Sequence, residues 1–123
     1  MPVVHVSEPD YERLEGLAQA DGSPGVRLLR RELERAVVLP EAELPAGCAR
    51  LGSWVEYVDL LQGRVRTVQL VMPALADVDA GRLSVASPVG AALLGLRPED
   101  TFGFTSEAGR PRVVVVHRVA EAP

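Results

Sequence analysis

With 123 residues and 47% hydrophobic content, the chain carries enough apolar side chains for one modest core and too few residues for two large domains. Thirteen basic against seventeen acidic residues give a net charge of −4, which disfavours a chain-wide electrostatic grip on nucleic-acid phosphates and points to a protein partner. No run approaches the roughly 18 to 20 apolar residues of a membrane span, and the single Cys48 excludes an internal disulfide. All of the basic residues are Arg and none is Lys, a coding bias and not a mechanism. The start, Met1 to Val6, lacks the charged-then-apolar layout of a secretory signal, so a cytoplasmic location is expected.

Residues 7 to 39 carry helix signals in two pieces. Ser7 with Asp10 three residues on resembles a capping box, Pro9 suits the first turn, and Tyr11, Leu14, Leu17 and Ala18 recur at helical spacing, which predicts a helix over about 8 to 20. The cluster Asp21-Gly22-Ser23-Pro24-Gly25 then breaks the chain, with Ser23 as a second N-cap and Pro24 at the first helical position. Val26, Leu29, Leu33 and Ala36 or Val37 repeat every three or four residues, the stripe of a second helix that packs along a neighbour. An antiparallel helical hairpin is therefore expected over residues 1 to 39. Its stripe leaves pairing within the chain or with a second copy open, and a monomer is favoured.

Pro40 and Pro45 close the second helix and start a linker reaching to about residue 51. From there the period changes to two. Segments near 53–60, 64–73 and 112–119 are rich in strand formers, Thr101 to Ser106 is a shorter candidate, and Gln62-Gly63 and Ala108-Gly109 supply turns. Between them, Ser87-Pro88-Val89-Gly90-Ala91-Ala92-Leu93-Leu94-Gly95 reads as N-cap, proline first turn, two apolar turns and a glycine stop. The fold class is α+β: a short helical hairpin, then a domain over 52–123 in which an antiparallel sheet wraps one short helix.

The stretch from Leu83 through Ser87-Pro88 to Leu96, followed by Glu99-Asp100, resembles the signature of the C-terminal domain of the Gre transcription elongation factors, GreA and GreB. Arg31-Glu32-Leu33-Glu34-Arg35-Ala36, Leu70-Val71-Met72-Pro73 and Pro88 to Leu96 narrow the resemblance to the Rnk-like branch, the regulators of nucleoside diphosphate kinase. The resemblance implies an FKBP-like fold for the C-terminal part. It also implies docking at the rim of the secondary channel of bacterial RNA polymerase through the loop Ala86, Ser87 and Pro88. Residues 89 to 95 are too small or too apolar for chemistry and are read as packing. Gre factors carry an acidic or amide residue just before Ser-Pro, where this chain has Ala86.

By the same resemblance, Gre factors cleave transcripts with carboxylates at the hairpin tip that hold a catalytic Mg²⁺, a hard cation that needs such oxygen ligands. Here the tip offers Asp21 alone, beside Ser23. A helix of about 13 residues extends roughly 20 Å, shorter than a Gre-type arm. Channel occupancy without cleavage, in competition with Gre factors, is the expectation, and neither metal nor cofactor is expected.

The remaining chemistry-bearing residues give no enzyme. His5 and His117 lack a neighbouring nucleophile or metal-ligand spacing, and Cys48 has no partner thiol or flanking base. Glu99-Asp100 follows Pro98 and reads as a pair of solvated turn carboxylates. Trp54 and Tyr57 fall on opposite faces of one strand, so at most one is core. An FKBP-fold peptidyl-prolyl isomerase or peptide-binding module is the alternative reading, weakened by the scarcity of aromatic residues for a pocket. An influence on nucleoside diphosphate kinase levels fits regulation through transcription without a kinase contact. No membrane partner and no sequence-specific nucleic-acid partner are expected.

Overall fold

A computed structural model describes residues 2–106 and 108–121. Chain order is β1 (His5–Ser7), α1 (Glu8–Ala18), α2 (Pro24–Arg35), β2 (Val37–Leu39), β3 (Trp54–Asp59), β4 (Arg64–Val71), β5 (Arg82–Ser84), α3 (Pro88–Leu93), β6 (Thr101–Thr105) and β7 (Pro111–Ala120). Short 3-10 turns occupy Glu41–Glu43 and Pro73–Leu75. The chain is α+β, as expected.

Local chemistry explains the helix starts. Ser7 accepts a hydrogen bond from the Asp10 backbone N–H at 3.3 Å, and Pro9 lies in the first turn, where a missing N–H leaves no bond unmade. Ser23 occupies the N-cap position of α2, but its side chain makes no capping bond. Arg30 closes the hairpin instead, donating to the carbonyl of Ala18 at 2.8 and 3.1 Å and to that of Asp21 at 3.2 Å. These bonds satisfy carbonyls that the end of α1 leaves open.

The stripe on α2 differs from expectation at its end. Val26, Leu29 and Leu33 are buried as predicted, joined by Leu28, but the helix stops at Arg35. Ala36 turns to extended backbone (φ −69°, ψ 147°), and Val37–Leu39 form β2, paired in parallel with β1. The β-branched Val37 and Val38 favour extended backbone, and Leu39, the residue before Pro40, is pushed out of the helical region, so the helix cannot continue to the proline. The stripe is covered within the chain. It packs more extensively on α3 than on α1, and Leu14, Leu29, Leu33, Leu93 and Phe102 belong to one continuous core.

The main sheet has the order β5-β4-β3-β7-β6. The expectation of an antiparallel sheet is corrected at one edge: β5 runs parallel to β4, so the sheet is mixed. The other three pairings are antiparallel, with a register shift between Glu56 and Tyr57 against β7. In β3 the burial alternates strictly, which places Tyr57 in the core and Trp54 on the other face. Packed on the concave side, α3 contacts β5, β6 and β7. It ends at Gly95, whose positive φ of 78° suits a glycine and lets it press against Val4.

The segment from 40 to 51 is anchored on the end of α3. The Ala49 N–H donates to Leu96 O at 2.8 Å and the Gly95 N–H to Ala49 O at 2.7 Å, with Cys48 and Ala49 buried. Arg50 pairs with Glu41 and lies 3.6 Å from the buried Asp10 of α1, while Arg13 holds the other oxygen of Asp10 at 2.6 Å.

Candidate functional site

The loop between β5 and α3 is built by short-range hydrogen bonds. Ser84 Oγ accepts the Ala86 N–H at 3.0 Å; Ser87 Oγ donates to Ser84 O at 2.6 Å and accepts the Gly90 N–H at 3.1 Å. Ser87 is thus the working N-cap of α3 and a tie to the strand behind it. Gly90 has to be glycine, since a Cβ there would lie 2.0 Å from Ser84 O.

Ala86 and Ser87 are half-buried and Pro88 is buried, so the loop is less open than a free helix entrance. The reason is α2, whose Gly25 sits flush on the Ala86 carbonyl. The structure thereby brings the loop Ala86–Pro88 against the start of α2 at Gly25, just beyond the hairpin-tip residues Asp21 and Ser23. Sequence reasoning missed Gly25. A glycine after Ser-Pro at a helix start was the available signal, but the partner that demands it is remote along the chain.

At the tip, Asp21 is fully exposed and its Oδ1 accepts the Ser23 N–H at 2.9 Å. Hydrogen bonding from Ser23 holds the Asp21 carboxyl below the usual aspartate value. Among the described residues, no group of three or more His, Cys, Asp or Glu is gathered closely enough to hold a metal. His117 is exposed, 3.9 Å from Glu56, and His5 lies in β1. Cys48 is buried, and that burial raises its thiol pKa. Asp100 closes its own turn by accepting the Arg97 N–H at 2.9 Å.

Beside the loop runs a cleft of about 380 Å³ lined by Leu83, Pro88, Val89 and, across from them, Leu61, Arg110 and Arg112. Two of these residues are held by the buried Asp59, whose Oδ2 accepts from Arg112 Nε, at 2.7 Å, and Arg112 Nη2, while its Oδ1 accepts the Leu61 N–H at 2.9 Å. Burial alone would raise the Asp59 pKa. The hydrogen bonds from Arg112 and the backbone outweigh it, and the carboxyl is held below its usual value. Arg112 also lies over the Phe104 ring at 5.7 Å.

At the far end of α2, Arg35 pairs with the buried Glu32, donates to Pro2 O at 2.6 Å and covers Phe102. The Arg-Glu-Leu-Glu-Arg stretch thus fastens the N-terminal segment to the core.

Comparison with known proteins fits this architecture. Residues 44–120 match the family described as "Transcription elongation factor, GreA/GreB, C-term", and residues 2–39 match "Rnk N-terminus". The chain is 34% identical over 111 residues to the regulator of nucleoside diphosphate kinase of Escherichia coli, covering 88% of this chain and 82% of that protein. It is 43% identical over 119 residues to the transcription inhibitor protein Gfh1 of Thermus thermophilus, covering 90% and 75%. The solved structure of a prokaryotic transcription elongation factor GreA/GreB from Nitrosomonas europaea superposes with a TM-score of 0.76 at 31% identity, covering 98% of this chain and 99% of that one. No helix is long and apolar enough to cross a membrane among the described residues. With both parts of the chain matched, and relatives aligned over most of their length, this protein belongs to the GreA/GreB transcription factor family and carries the N-terminal region of the Rnk regulators.

Proposed function

We propose that this protein is a cytoplasmic, monomeric regulator that binds RNA polymerase at the rim of its secondary channel through the Ala86–Pro88 loop. It occupies the entrance without stimulating transcript cleavage and competes there with Gre factors. In this reading, residues 1–39 are the channel-side hairpin, 40–51 the linker, and 52–123 a Gre-type domain with an FKBP-like fold. Family membership supports the kind of partner, and the name of one relative, a transcription inhibitor, supports the direction of the effect.

The observation that carries the reading is the hairpin tip. Its one carboxylate, Asp21, is engaged by the Ser23 backbone, and Gly25 seats the start of α2 on the protein's own loop. A lone, backbone-bonded carboxylate is a poor ligand set for Mg²⁺. The test adds purified protein to backtracked elongation complexes, with and without a Gre factor. No cleavage by the protein alone, and a dose-dependent loss of Gre-stimulated cleavage, are expected. Robust cleavage that disappears in Asp21→Ala would overturn the proposal.

An influence on nucleoside diphosphate kinase, suggested by the name of the Escherichia coli relative, then acts through transcription. Pull-down from lysate should recover polymerase subunits and not the kinase. The isomerase reading has less support, because Tyr57, Phe102 and Phe104 are buried in the core and offer no aromatic-lined cleft.

A further inference from the structure

Arg64 and Arg66 pair across the sheet with Asp59 and Tyr57, residues buried on the core side. Partners directly opposite in a sheet share a face, so both arginines lie on the core side of β4, yet both are exposed because the helical cover ends before them. Asp59, directly across from Arg64, is taken by Arg112. Among the described residues, no ion pair engages Arg64, Arg66, Arg82 or Arg110.

Arg64 and Arg66 share a cleft at the β4 edge with Arg82, which pairs with Gln69 and so comes from the opposite face of the sheet. The cleft holding Arg64, Arg66 and Arg82 shares Leu83 with the cleft beside the Ser-Pro loop, which holds Arg110 and Arg112. No Asp or Glu lines either cleft among the described residues. In a chain with net charge −4, both clefts are lined by arginines without a carboxylate, with Asp77 and Asp79 flanking Val78 at the outer edge. Exposed apolar side chains also line these clefts: Leu61 is 69% exposed, Val78 89% and Val65, from the opposite face of β4, 59%.

We infer that this arginine-lined, apolar-studded surface is a docking site for an acidic, amphipathic segment of a protein partner, reaching from the Ser-Pro loop across β4 to β5. The inference rests on the polymerase reading above and extends its contact beyond Ala86–Pro88. Arginine is enriched at protein interfaces, and clefts that no carboxylate lines among the described residues are complementary to an acidic segment. A phosphate backbone would leave Leu61, Val65 and Val78 unused, and no aromatic ring lines either cleft among the described residues for a base to stack on.

The test measures affinity for purified RNA polymerase core enzyme, and for a mixed-sequence single-stranded RNA oligonucleotide, at low and moderate salt. Wild type is compared with Arg64→Glu/Arg66→Glu and with Arg97→Glu/Arg118→Glu, an equal charge change on exposed residues outside the two clefts; circular dichroism confirms that both variants fold. The expected result is a loss of about tenfold or more in polymerase affinity for Arg64→Glu/Arg66→Glu only, mainly at low salt. Equal affinities for both variants, with wild type bound, would overturn the inference and leave the polymerase reading standing. Failure of wild type to bind polymerase would instead defeat that reading. Tighter binding to the oligonucleotide than to polymerase, abolished by Arg64→Glu/Arg66→Glu, would show the patch to be a nucleic-acid site and overturn the inference.

Discussion

Gly25, near the start of α2, lies flush against the carbonyl of Ala86: a Cβ on the glycine would sit 1.8 Å from that oxygen and 2.7 Å from the carbonyl carbons of Ala86 and Ser87. The hairpin tip and the Ser-Pro loop are thus in backbone contact, with no side chain between them to yield.

Gly25→Ala should therefore destabilise the fold by about 1–3 kcal/mol, because α2 or the loop has to move as a whole. Gly22→Ala, with nothing within 4 Å of its Cβ, is the control and should leave stability within about 0.5 kcal/mol. Urea unfolding of both variants decides the matter; equal midpoints would mean that the contact does not constrain the protein.

Ser87→Ala removes one acceptor and one donor at a half-buried site, leaving the Gly90 N–H and the Ser84 carbonyl short of a partner. A loss of about 1–2 kcal/mol is expected, and Ser87→Thr, which keeps the hydroxyl, should recover most of it. Thermal melts monitored by circular dichroism give the readout, and an unchanged Ser87→Ala melt would contradict the capping role.

The Asp59–Arg112 pair predicts an acid limb of the stability curve. Asp59 has a folded pKa below its unfolded value of about 3.9, so its contribution is fully present above that pH and fades as pH falls through the folded value. Asp59→Asn should flatten the decline in unfolding free energy below about pH 4. Arg112→Ala at pH 7 strands a carboxylate that is only 1% exposed. The expected cost is about 3 kcal/mol, at the lower end of the range for a broken buried pair because Arg112 keeps partial access to water.

Cys48 is buried, which raises its thiol pKa, with a smaller opposing influence from Arg97. Ellman's reagent at pH 8 should react with native protein on the order of a hundredfold more slowly than with the urea-unfolded chain. Comparable rates would place the 40–51 segment in an open arrangement.

The elements that sequence could reveal are those whose signals are local. Ser7 and Ser87 announce their caps, Pro24 and Pro88 their first turns, and alternation in Trp54–Asp59 its strand. What escaped depends on pairing between remote segments. Three-residue strands such as His5–Ser7 and Arg82–Ser84 carry too few residues for a period, and the parallel pairing of Arg82 with Gln69 is invisible without the fold. Val37 continued the helical stripe by spacing alone, although Val37-Val38 ahead of Pro40 held the opposing signal. The Ser-Pro loop was legible as a motif. The arginines beside it were not, because Arg64 and Arg82 come to one cleft only after β4 and β5 pair, and Arg110 and Arg112 come beside the loop only once the sheet closes.

With Val6 paired to Val38 at its base and Gly25 seated on Ala86 at its tip, the helical hairpin is fastened at two ends. A lever pinned once can swing; a strap buckled twice cannot, until a buckle opens. Releasing the tip also lifts Leu28, Leu29 and Leu33 from the core they share with Leu93. Reach is thereby linked to core stability: any partner that draws the hairpin outward works against the packing of α2 on α3.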